Sequence, residues 1–387
     1  MNNNVTVIKN AQIVLENGIL WDGVLLIEGD RIKKFGAARD MECYIPEGVC
    51  CIDAEGAYVG PGFVDIHVHE GGGYSTYFEP VEAADFFLRH GATTILATPS
   101  YDLCFEKFLN AIRTVKASLE KAPTIRGLYL EGPYLNPDYG SHSYANPWRG
   151  PIEPDQFMSL VDEAGTLAKV WTVAPEREGL MPFLEYARKV NPDVVFAVGH
   201  SEATPDQIRR MGKYRPTLQS HSMNATGRLP VFAGTRGYGP DEYCMKEPDV
   251  YTELISDSCG IHVHPEIQQL LLHNKGIHRT ILITDSTVYY EPTPPELAYV
   301  NDLNFDATGT IAGSKMTMDQ ACRNIMTHTN CGIAQAFLMA SRNPARAVGL
   351  DQEVGTIEPG KRADLVFVDD KFHIQLVMLG GKLCDFD

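Results

Sequence analysis

The sequence predicts an α/β protein: a (β/α)8 TIM barrel with a small β-sandwich domain formed from both chain ends. From Gly62 onwards, eight apolar strand-like segments alternate with amphipathic segments of helical spacing, a pattern typical of a closed parallel barrel. Both ends of the chain consist instead of short strands and turns. The length of 387 residues accommodates a barrel of about 250 residues together with a smaller appendage.

The two chain ends are expected to pair into one small β domain. Residues 24–32 predict a β-hairpin, because an apolar run, a Gly-Asp turn and a second strand follow one another. The C-terminal segment repeats this pattern before a Gly-Gly turn at 380–381. We therefore predict a small domain from residues 1–58 and 350–387, with the hydrolase barrel between them at 59–349.

The barrel elements follow from the alternation of apolar runs and helical periodicity. Near-continuous apolar runs indicate strands buried on both faces, and eight are predicted, at 63–69, 93–98, 126–130, 169–173, 194–199, 217–221, 253–263 and 280–284. Helices are predicted at 81–90, 105–121, 154–167, 180–190, 205–214 and 265–275. The stretch 225–250 is long and rich in Gly and Pro, which favours a functional loop over a helix.

Composition excludes several classes of partner and location. A formal net charge of -17 argues against nucleic acid and anionic membranes, and an anionic substrate would need a local cationic pocket. Nine cysteines without a Cys-x-x-Cys pair favour reduced thiols. The polar N-terminus lacks the apolar core of a signal peptide, and no apolar run is long enough to span a membrane. We expect a soluble, cytoplasmic protein.

Polar residues stand where the predicted strands finish, and a TIM barrel performs its chemistry at that edge. The period-two geometry of a strand places His67 and His69 on one face, where both can reach a single metal. Imidazole and carboxylate are ligands that zinc and similar divalent metals accept. Six strand-end side chains are therefore expected to converge as metal ligands, namely His67, His69, Glu131, His200, His221 and Asp285.

This ligand count suggests two metal sites. One would use His67, His69 and Asp285, and the other His200 and His221. Glu131 would either bridge the two sites or belong to the second. Metal lowers the pKa of bound water toward neutrality, and Asp285 is placed to act as the general base that later protonates a leaving nitrogen. Its plainer interpretation is a metal ligand without a role in proton transfer.

Eight short strings of characteristic sequence occur in order along nearly the whole chain. They are 61–69 (PGFVDIHVH), 130–136 (LEGPYLN), 199–201 (GHS), 221–225 (HSMNA), 283–285 (ITD), 309–314 (GTIAGS), 343–347 (NPARA) and 355–365 (GTIEPGKRADL). Together they resemble the N-acetylglucosamine-6-phosphate deacetylases of the amidohydrolase superfamily. The strings Glu-Gly-Pro and His-x-x-Asn-Ala are specific to the deacetylases, whereas the last two strings are general to the superfamily. The superfamily often uses a carboxylated lysine where this chain has Glu131.

The resemblance implies an activity, a cofactor and a set of contacts. It implies metal-dependent deacetylation of N-acetylglucosamine-6-phosphate, or a closely related acetamido sugar, to the amino sugar phosphate and acetate. It also implies one or two divalent ions, with zinc first and iron, manganese or cobalt as alternatives, and a homodimer. His142 resembles a catalytic residue that polarises the scissile carbonyl. The implied substrate contacts are His142, Asn224, Ala225, His262, Ile311, Ala312 and Gly313.

The sequence departs from the family pattern at the mouth of the predicted site. Thr226 replaces the family's methionine, and Glu70 stands where glycine is usual. The arginine expected to bind phosphate is either Arg228 or Arg236, and sequence context favours Arg236, because a guanidinium fork matches phosphate geometry. These changes leave the exact sugar open, including whether it carries a phosphate.

Two other classes of function are compatible with parts of the sequence. Another reaction of the superfamily, either cyclic-amide hydrolysis or deamination, is disfavoured by the missing bridging lysine and by the Glu-Gly-Pro string. A non-catalytic barrel that serves as a scaffold would be expected to have lost metal ligands, and the sequence retains all six.

Overall fold

The computed structural model describes residues 5–141, 143–230, 232–288 and 291–386. The chain begins with a twisted antiparallel meander whose third strand leads into a short helix. Its first strand pairs in parallel with a fourth strand near one end and with a fifth near the other. The elements are β1 (Val5–Leu15), β2 (Gly18–Glu28), β3 (Arg31–Ala37), α1 (Ala38–Met41), β4 (Cys50–Asp53) and β5 (Tyr58–Pro61).

Eight parallel strands then form the barrel, β6 and β9–β15, with a small hairpin β7–β8 after the first. The barrel closes between its last and first strands, because the backbone N–H of Asp285 donates to the carbonyl oxygen of His67 at 3.0 Å. This closure confirms the predicted TIM barrel. The strands are β6 (Phe63–Val68), β7 (Glu70–Gly71), β8 (Tyr74–Ser75), β9 (Ala92–Ala97), β10 (Ile125–Glu131), β11 (Ala168–Val173), β12 (Val195–Val198), β13 (Leu218–Gln219), β14 (Tyr251–Ile255) and β15 (Thr280–Ile283).

Helices cover the outside of the barrel with one apolar face each. In the helix at 180–190, burial falls on Leu180, Phe183, Leu184 and Ala187, the three-and-four spacing of a single helical face. Among the described residues, no helix combines the length and apolar character needed to cross a membrane. The helices along the barrel are α2 (Pro80–Arg89), α3 (Phe105–Ser118), α4 (Pro154–Ala164), α5 (Leu180–Val190), α6 (Pro205–Arg210), α7 (Pro240–Lys246) and α8 (Pro265–Lys275).

The C-terminal part returns to the first sheet. Strand β18 pairs antiparallel with β5 and extends the N-terminal sheet to the order β20-β19-β18-β5-β1-β2-β3. Both chain ends therefore contribute to one β layer, as the sequence predicts, whereas the domain limits remain a prediction. The remaining elements are β16 (Leu303–Phe305), β17 (Ile311–Ser314), α9 (Met318–Thr329), α10 (Ile333–Phe337), α11 (Asn343–Ala347), β18 (Leu365–Val368), β19 (Ile374–Leu379) and β20 (Lys382–Leu383).

The seventh barrel strand is shorter than predicted. The sequence predicts a strand over 253–263, but β14 ends at Ile255. The carboxylate of Asp257 accepts hydrogen bonds from the backbone N–H groups of Cys259, Ile261 and His262, at 2.8 to 3.2 Å. An aspartate that binds following backbone groups in this way stabilises a turn, so the apolar residues after it do not extend the strand.

The predicted loop at 225–250 was wrong in part, since it contains helix α7. Pro240 occupies the first turn of this helix, where a missing N–H costs nothing. The side chain of Glu242 accepts a hydrogen bond from the N–H of Gly239 at 2.9 Å, which is half of a capping box. The Gly-Pro pair that suggested a loop is thus the start signal of a helix.

Candidate active site

The six predicted ligands meet at the carboxyl end of the barrel. His67 lies in β6, Glu131 ends β10, and His69 directly follows β6. The other three, His200, His221 and Asp285, stand two residues after the ends of β12, β13 and β15. All six are buried. They form two groups, within each of which the potential ligand atoms lie no more than 4.8 Å apart: His67, His69 and Asp285 in the first group, and Glu131, His200 and His221 in the second.

Distances within the groups suit a metal ion. In the first group, Oδ1 of Asp285 lies 3.3 Å from Nε2 of His69 and 3.7 Å from Nε2 of His67. In the second, Oε1 of Glu131 lies 2.9 Å from Nε2 of His200 and 3.0 Å from Nε2 of His221. Ligands at about 2.0–2.1 Å from a tetrahedral zinc ion are separated by roughly 3.3 Å. The spacing of both groups is close to that value.

Glu131 lies between the two groups. Its Oε2 is 3.3 Å from Nε2 of His69, and its Oε1 is 3.5 Å from Nε2 of His67. Oε1 therefore lies near histidines of both groups, and Oε2 faces His69. Of the two sequence interpretations of Glu131, this arrangement favours the bridging ligand over membership of the second group alone.

A buried polar atom without a partner also supports a cation at this place. Nε2 of His67 has no hydrogen-bond partner among the described residues, although buried nitrogen atoms are normally satisfied. Two imidazoles and a carboxylate in one group, with the same set in the other, form a donor set suited to zinc and similar divalent ions. The residues present therefore fit the metal that the sequence predicts.

Hydrogen bonds on the far side of three imidazole rings determine which nitrogen faces the centre. Nδ1 of His67 donates to Glu253 at 3.0 Å, and Nδ1 of His69 donates to the carbonyl oxygen of Thr98 at 2.9 Å. Nδ1 of His221 donates to the carbonyl oxygen of Asn224 at 3.3 Å. Partners of this kind fix the tautomer and leave Nε2 free to bind metal.

Three of the predicted ligands have strained backbones. His200, His221 and Asp285 adopt φ values of 44°, 22° and 47°, in a region that residues other than glycine rarely occupy. Such conformations cost on the order of 1–3 kcal/mol each and persist only where the surroundings enforce them. Their coincidence at three converging strand ends points to a functional requirement for these side-chain directions.

Two glycines allow loops to approach the centre closely. Gly140 has φ of 95°, and a Cβ there would lie 2.5 Å from Nδ1 of His200. Gly313 has φ of 69°, and a Cβ there would lie 2.5 Å from the carbonyl oxygen of Asp285. Any larger residue at either position would displace a predicted metal ligand or its backbone.

A cavity of about 340 Å³ opens above both groups, within the usual range of small-molecule sites, roughly 300–1,000 Å³. Ile311, Ala312 and Gly313, predicted as a covering loop, lie instead in strand β17 of a short hairpin that forms one wall. His142 falls outside the described residues. The predicted residues that line the cavity are His69, Glu131, His200, His221, Asn224, Ala225, Asp285, Ile311, Ala312 and Gly313.

His262 and the two arginines are not among the residues that line this cavity. The His262 ring is buried, and its Nδ1 donates to Asp257 at 3.3 Å. Arg236 extends to Glu242 at 3.3 Å with 76% of its side chain exposed, and Arg228 lies 3.8 Å from the same carboxylate. None of the three residues lines the cavity in this arrangement, so their contacts with a substrate remain predictions.

Sequence reasoning missed several residues around the centre. Tyr77, Tyr101 and Thr287 line the cavity, and no local motif marks them. Asp65 and Glu253 are buried carboxylates behind the ligands. A charged residue inside an otherwise apolar strand is a signal that could have identified both.

Comparison with known proteins defines the family. A model of the Amidohydrolase family matches residues 58–384, which is most of the chain. The chain belongs to the amidohydrolase family. It is 28% identical to an N-acetylglucosamine-6-phosphate deacetylase of Bacillus subtilis, covering 97% of this chain and 96% of that protein. It is also 28% identical to an N-acetylgalactosamine-6-phosphate deacetylase of Escherichia coli O157:H7, covering 98% and 99%.

A solved structure supports the same fold for this amidohydrolase. N-acetyl-D-glucosamine-6-phosphate deacetylase from Mycobacterium smegmatis, as an aspartate-to-alanine variant in complex with N-acetyl-D-glucosamine-6-phosphate, superposes with a TM-score of 0.81 at 29% identity. The match covers 98% of this chain and 99% of that one. The predicted resemblance to these deacetylases is therefore confirmed.

The charges of the amidohydrolase centre depend on one another. Burial disfavours the charged forms of Glu131 and Asp285. The neighbouring histidines outweigh this effect and hold the pKa of each carboxyl below its ordinary value. Burial likewise opposes charge on His69, yet hydrogen bonds with Asp285 and Glu131 raise its pKa to about 9. Burial opposes charge on His67 as well, but the carboxylates of Glu131 and Glu253 outweigh it and raise the pKa of His67. Without metal, protons on these imidazoles balance the carboxylates.

This balance predicts a pH dependence for the metal-free protein. Between the ordinary histidine pKa of 6.5 and the folded value of about 9 for His69, the folded state retains a proton that the unfolded state has lost. The free energy of unfolding should therefore fall with rising pH, by about 1.4 kcal/mol per pH unit for each such proton. Urea denaturation of chelator-treated protein at pH 6.5 and pH 9 measures this difference.

Zinc provides the control for that measurement. Metal binds the neutral imidazole, so loading with zinc should remove the loss of stability at pH 9. Equal stability of the metal-free protein at both pH values would contradict the charge balance described for the centre.

Proposed function

We propose that this amidohydrolase removes the acetyl group from an N-acetylated, 6-phosphorylated amino sugar, with N-acetylglucosamine-6-phosphate as the first candidate. The products would be acetate and the amino sugar phosphate. The observation that carries the proposal is the pair of adjoining ligand groups beneath a cavity of about 340 Å³. The similarity to deacetylases of two 6-phosphorylated acetamido sugars supports this substrate class.

His67, His69 and Asp285 would hold one divalent ion, and Glu131, His200 and His221 the other, with Glu131 shared between them. A bound divalent metal would supply Lewis acidity toward the amide carbonyl and toward water. Zinc is proposed, with iron, manganese and cobalt as alternatives. All six side chains are largely buried, and a low local dielectric strengthens each electrostatic interaction among them.

Asp285 would transfer the proton. It lines the cavity, and its side chain is 13% exposed, compared with 7% or less for the other five ligands. The histidines around it lower the pKa of its carboxyl group, so it is ionised at neutral pH and able to accept a proton from the attacking water. The C–N bond then breaks, and the same proton passes from Asp285 to the leaving nitrogen.

The remaining contacts would hold the sugar and polarise the amide. His142 is proposed to donate to the amide carbonyl oxygen as negative charge develops there. Asn224, Ala225 and the wall at 311–313 line the cavity, which suits contacts to the sugar. His262 is proposed as a further contact.

The phosphate would be bound by Arg228 or Arg236. In the described part of the chain, no lysine or arginine lines the cavity, so an arginine from the segment after Ala225 would have to turn away from Glu242 or act from a second copy of the chain. A homodimer is accordingly proposed. Residues 59–349 would carry the reaction, with 1–58 and 350–387 as a supporting domain in a cytoplasmic enzyme.

An arginine that binds phosphate should affect only phosphorylated substrates. We expect either Arg228→Ala or Arg236→Ala to raise KM for N-acetylglucosamine-6-phosphate by about 10–100-fold, since a charge-assisted hydrogen bond contributes roughly 1.5–3 kcal/mol. Turnover of unphosphorylated N-acetylglucosamine should not change. If neither variant alters the preference between the two sugars, both assignments are wrong.

The activity itself is tested by acetate release. Protein supplied with zinc should release acetate from N-acetylglucosamine-6-phosphate, and comparison with the galactosamine epimer and with N-acetylglucosamine defines the specificity. Absence of acetate from all three sugars, with metal bound, would reject the proposed function.

A further inference from the structure

Glu253 is a buried carboxylate behind the candidate metal centre. It lies in β14. The neighbouring strands β13 and β15 lead to the predicted ligands His221 and Asp285, whereas the end of β14 supplies none of the six. Its side chain is fully buried. Oε2 accepts a hydrogen bond from Nδ1 of His67 at 3.0 Å and from the backbone N–H of His221 at 3.2 Å. One oxygen of Glu253 thus contacts a ligand from each group.

The ring of His67 is constrained on its other sides as well. Tyr129 stacks on it, with ring centroids 4.3 Å apart and an interplanar angle of 27°. The Tyr129 hydroxyl is fixed in turn by a hydrogen bond of 2.9 Å with Ser220. With the face of the ring covered and Nδ1 engaged, the free nitrogen is Nε2, directed toward Glu131 and Asp285 at 3.5 Å and 3.7 Å.

The carboxylate of Glu253 carries a free-energy cost because it is buried. Burial of an ionised group in an apolar environment is unfavourable without a compensating charge. Among the described residues, Glu253 forms an ion pair with His67 and none with a lysine or arginine. The adjacent strand residues Leu254 and Ile255 are apolar and fully buried. Packing alone therefore gives no reason for a charge here.

We propose that Glu253 is a positioning residue for His67. It holds the proton on Nδ1, orients Nε2 toward the metal and makes the imidazole a stronger ligand, as carboxylates do behind other metal-bound histidines. This inference rests on the proposed use of metal. It assigns a function to a residue outside the six ligands and predicts that the first group binds its ion more weakly when the negative charge is removed.

The substitution Glu253→Gln tests the charge with little change in shape, because the glutamine oxygen can still accept both hydrogen bonds. Metal affinity is measured by zinc competition with a chromophoric chelator. We expect one zinc equivalent to bind about 10–100-fold more weakly than in the wild type, with the other equivalent unchanged. Excess zinc should restore acetate release.

Asp364→Asn provides the matched control. Asp364 is also a buried carboxylate, paired with Arg362 at 3.0 Å in the region of the small sheet, and it contacts none of the ligands. This variant should lose stability but retain both zinc affinities. Wild-type affinities for both equivalents in Glu253→Gln would overturn the inference, even if that variant were less stable.

A measurement on the unaltered protein covers the case in which Glu253→Gln does not fold. In zinc-loaded protein labelled with 15N on histidine, the His67 ring should carry its proton on Nδ1, with Nε2 bound to metal. A proton on Nε2 would overturn the inference. If the wild-type chain takes up no zinc at all, the proposed function fails as well, which distinguishes that outcome from a failure of the Glu253 assignment alone.

Discussion

Replacement of Asp285 with asparagine is expected to reduce kcat for sugar deacetylation by about 10²–10⁴-fold, the usual contribution of a positioned acid–base group. The amide oxygen of asparagine can still face His69 and His67, which lie 3.3 Å and 3.7 Å from Oδ1 of Asp285. It cannot accept the proton from water. Metal content should therefore change less than activity, and KM should change little.

Steady-state kinetics and metal analysis of the same preparations separate the two roles of Asp285. Asp364→Asn serves again as a control for the loss of a buried aspartate. An Asp285→Asn enzyme that binds zinc and retains activity within a few-fold of the wild type would leave Asp285 as a plain metal ligand, the alternative interpretation that the sequence allows.

Replacement of Glu131 with glutamine is expected to affect both ligand groups at once. Its two oxygens lie 2.9 to 3.5 Å from Nε2 of four histidines, so the substitution removes the negative charge shared by all of them. Loss of partners outside the first ligand sphere costs about 10–100-fold in metal affinity or activity, and loss of a direct ligand should exceed that range. Metal content after dialysis and kcat/KM measure the effect.

Glu163→Gln is a suitable control for that variant, because Glu163 pairs with Arg113 and Lys116 on the barrel exterior. It should retain metal and activity. Retention of both zinc equivalents by Glu131→Gln would show that Glu131 does not bridge the groups.

The barrel and its six converging ligands could be predicted from sequence because both depend on local patterns. A run such as Val64 to Val68 is apolar on both faces apart from its functional residues, and parallel strands bring their carboxyl ends to one edge. The positions of His67, His200 and Asp285 follow from that rule without knowledge of any loop. Family motifs then added the substrate class.

What could not be predicted depends on side-chain partners far apart in sequence. The contact between Glu253 and His67 joins residues separated by 186 positions, and the apolar run around Glu253 suggested only a strand. Sequence context favours Arg236 as the phosphate ligand, but its guanidinium lies 3.3 Å from Glu242 of helix α7, in a stretch where the sequence predicts a loop. Loop conformation and ion pairing decide such cases, and neither has a local signature.

The central claim is that the two ligand groups hold metal ions. Anomalous diffraction at the zinc edge from crystals of zinc-loaded protein tests it most directly. We expect one peak within ligand distance of Glu131, His200 and His221, and a second within ligand distance of His67, His69 and Asp285. Zinc bound elsewhere on the chain, with neither group contacting an ion, would contradict the claim.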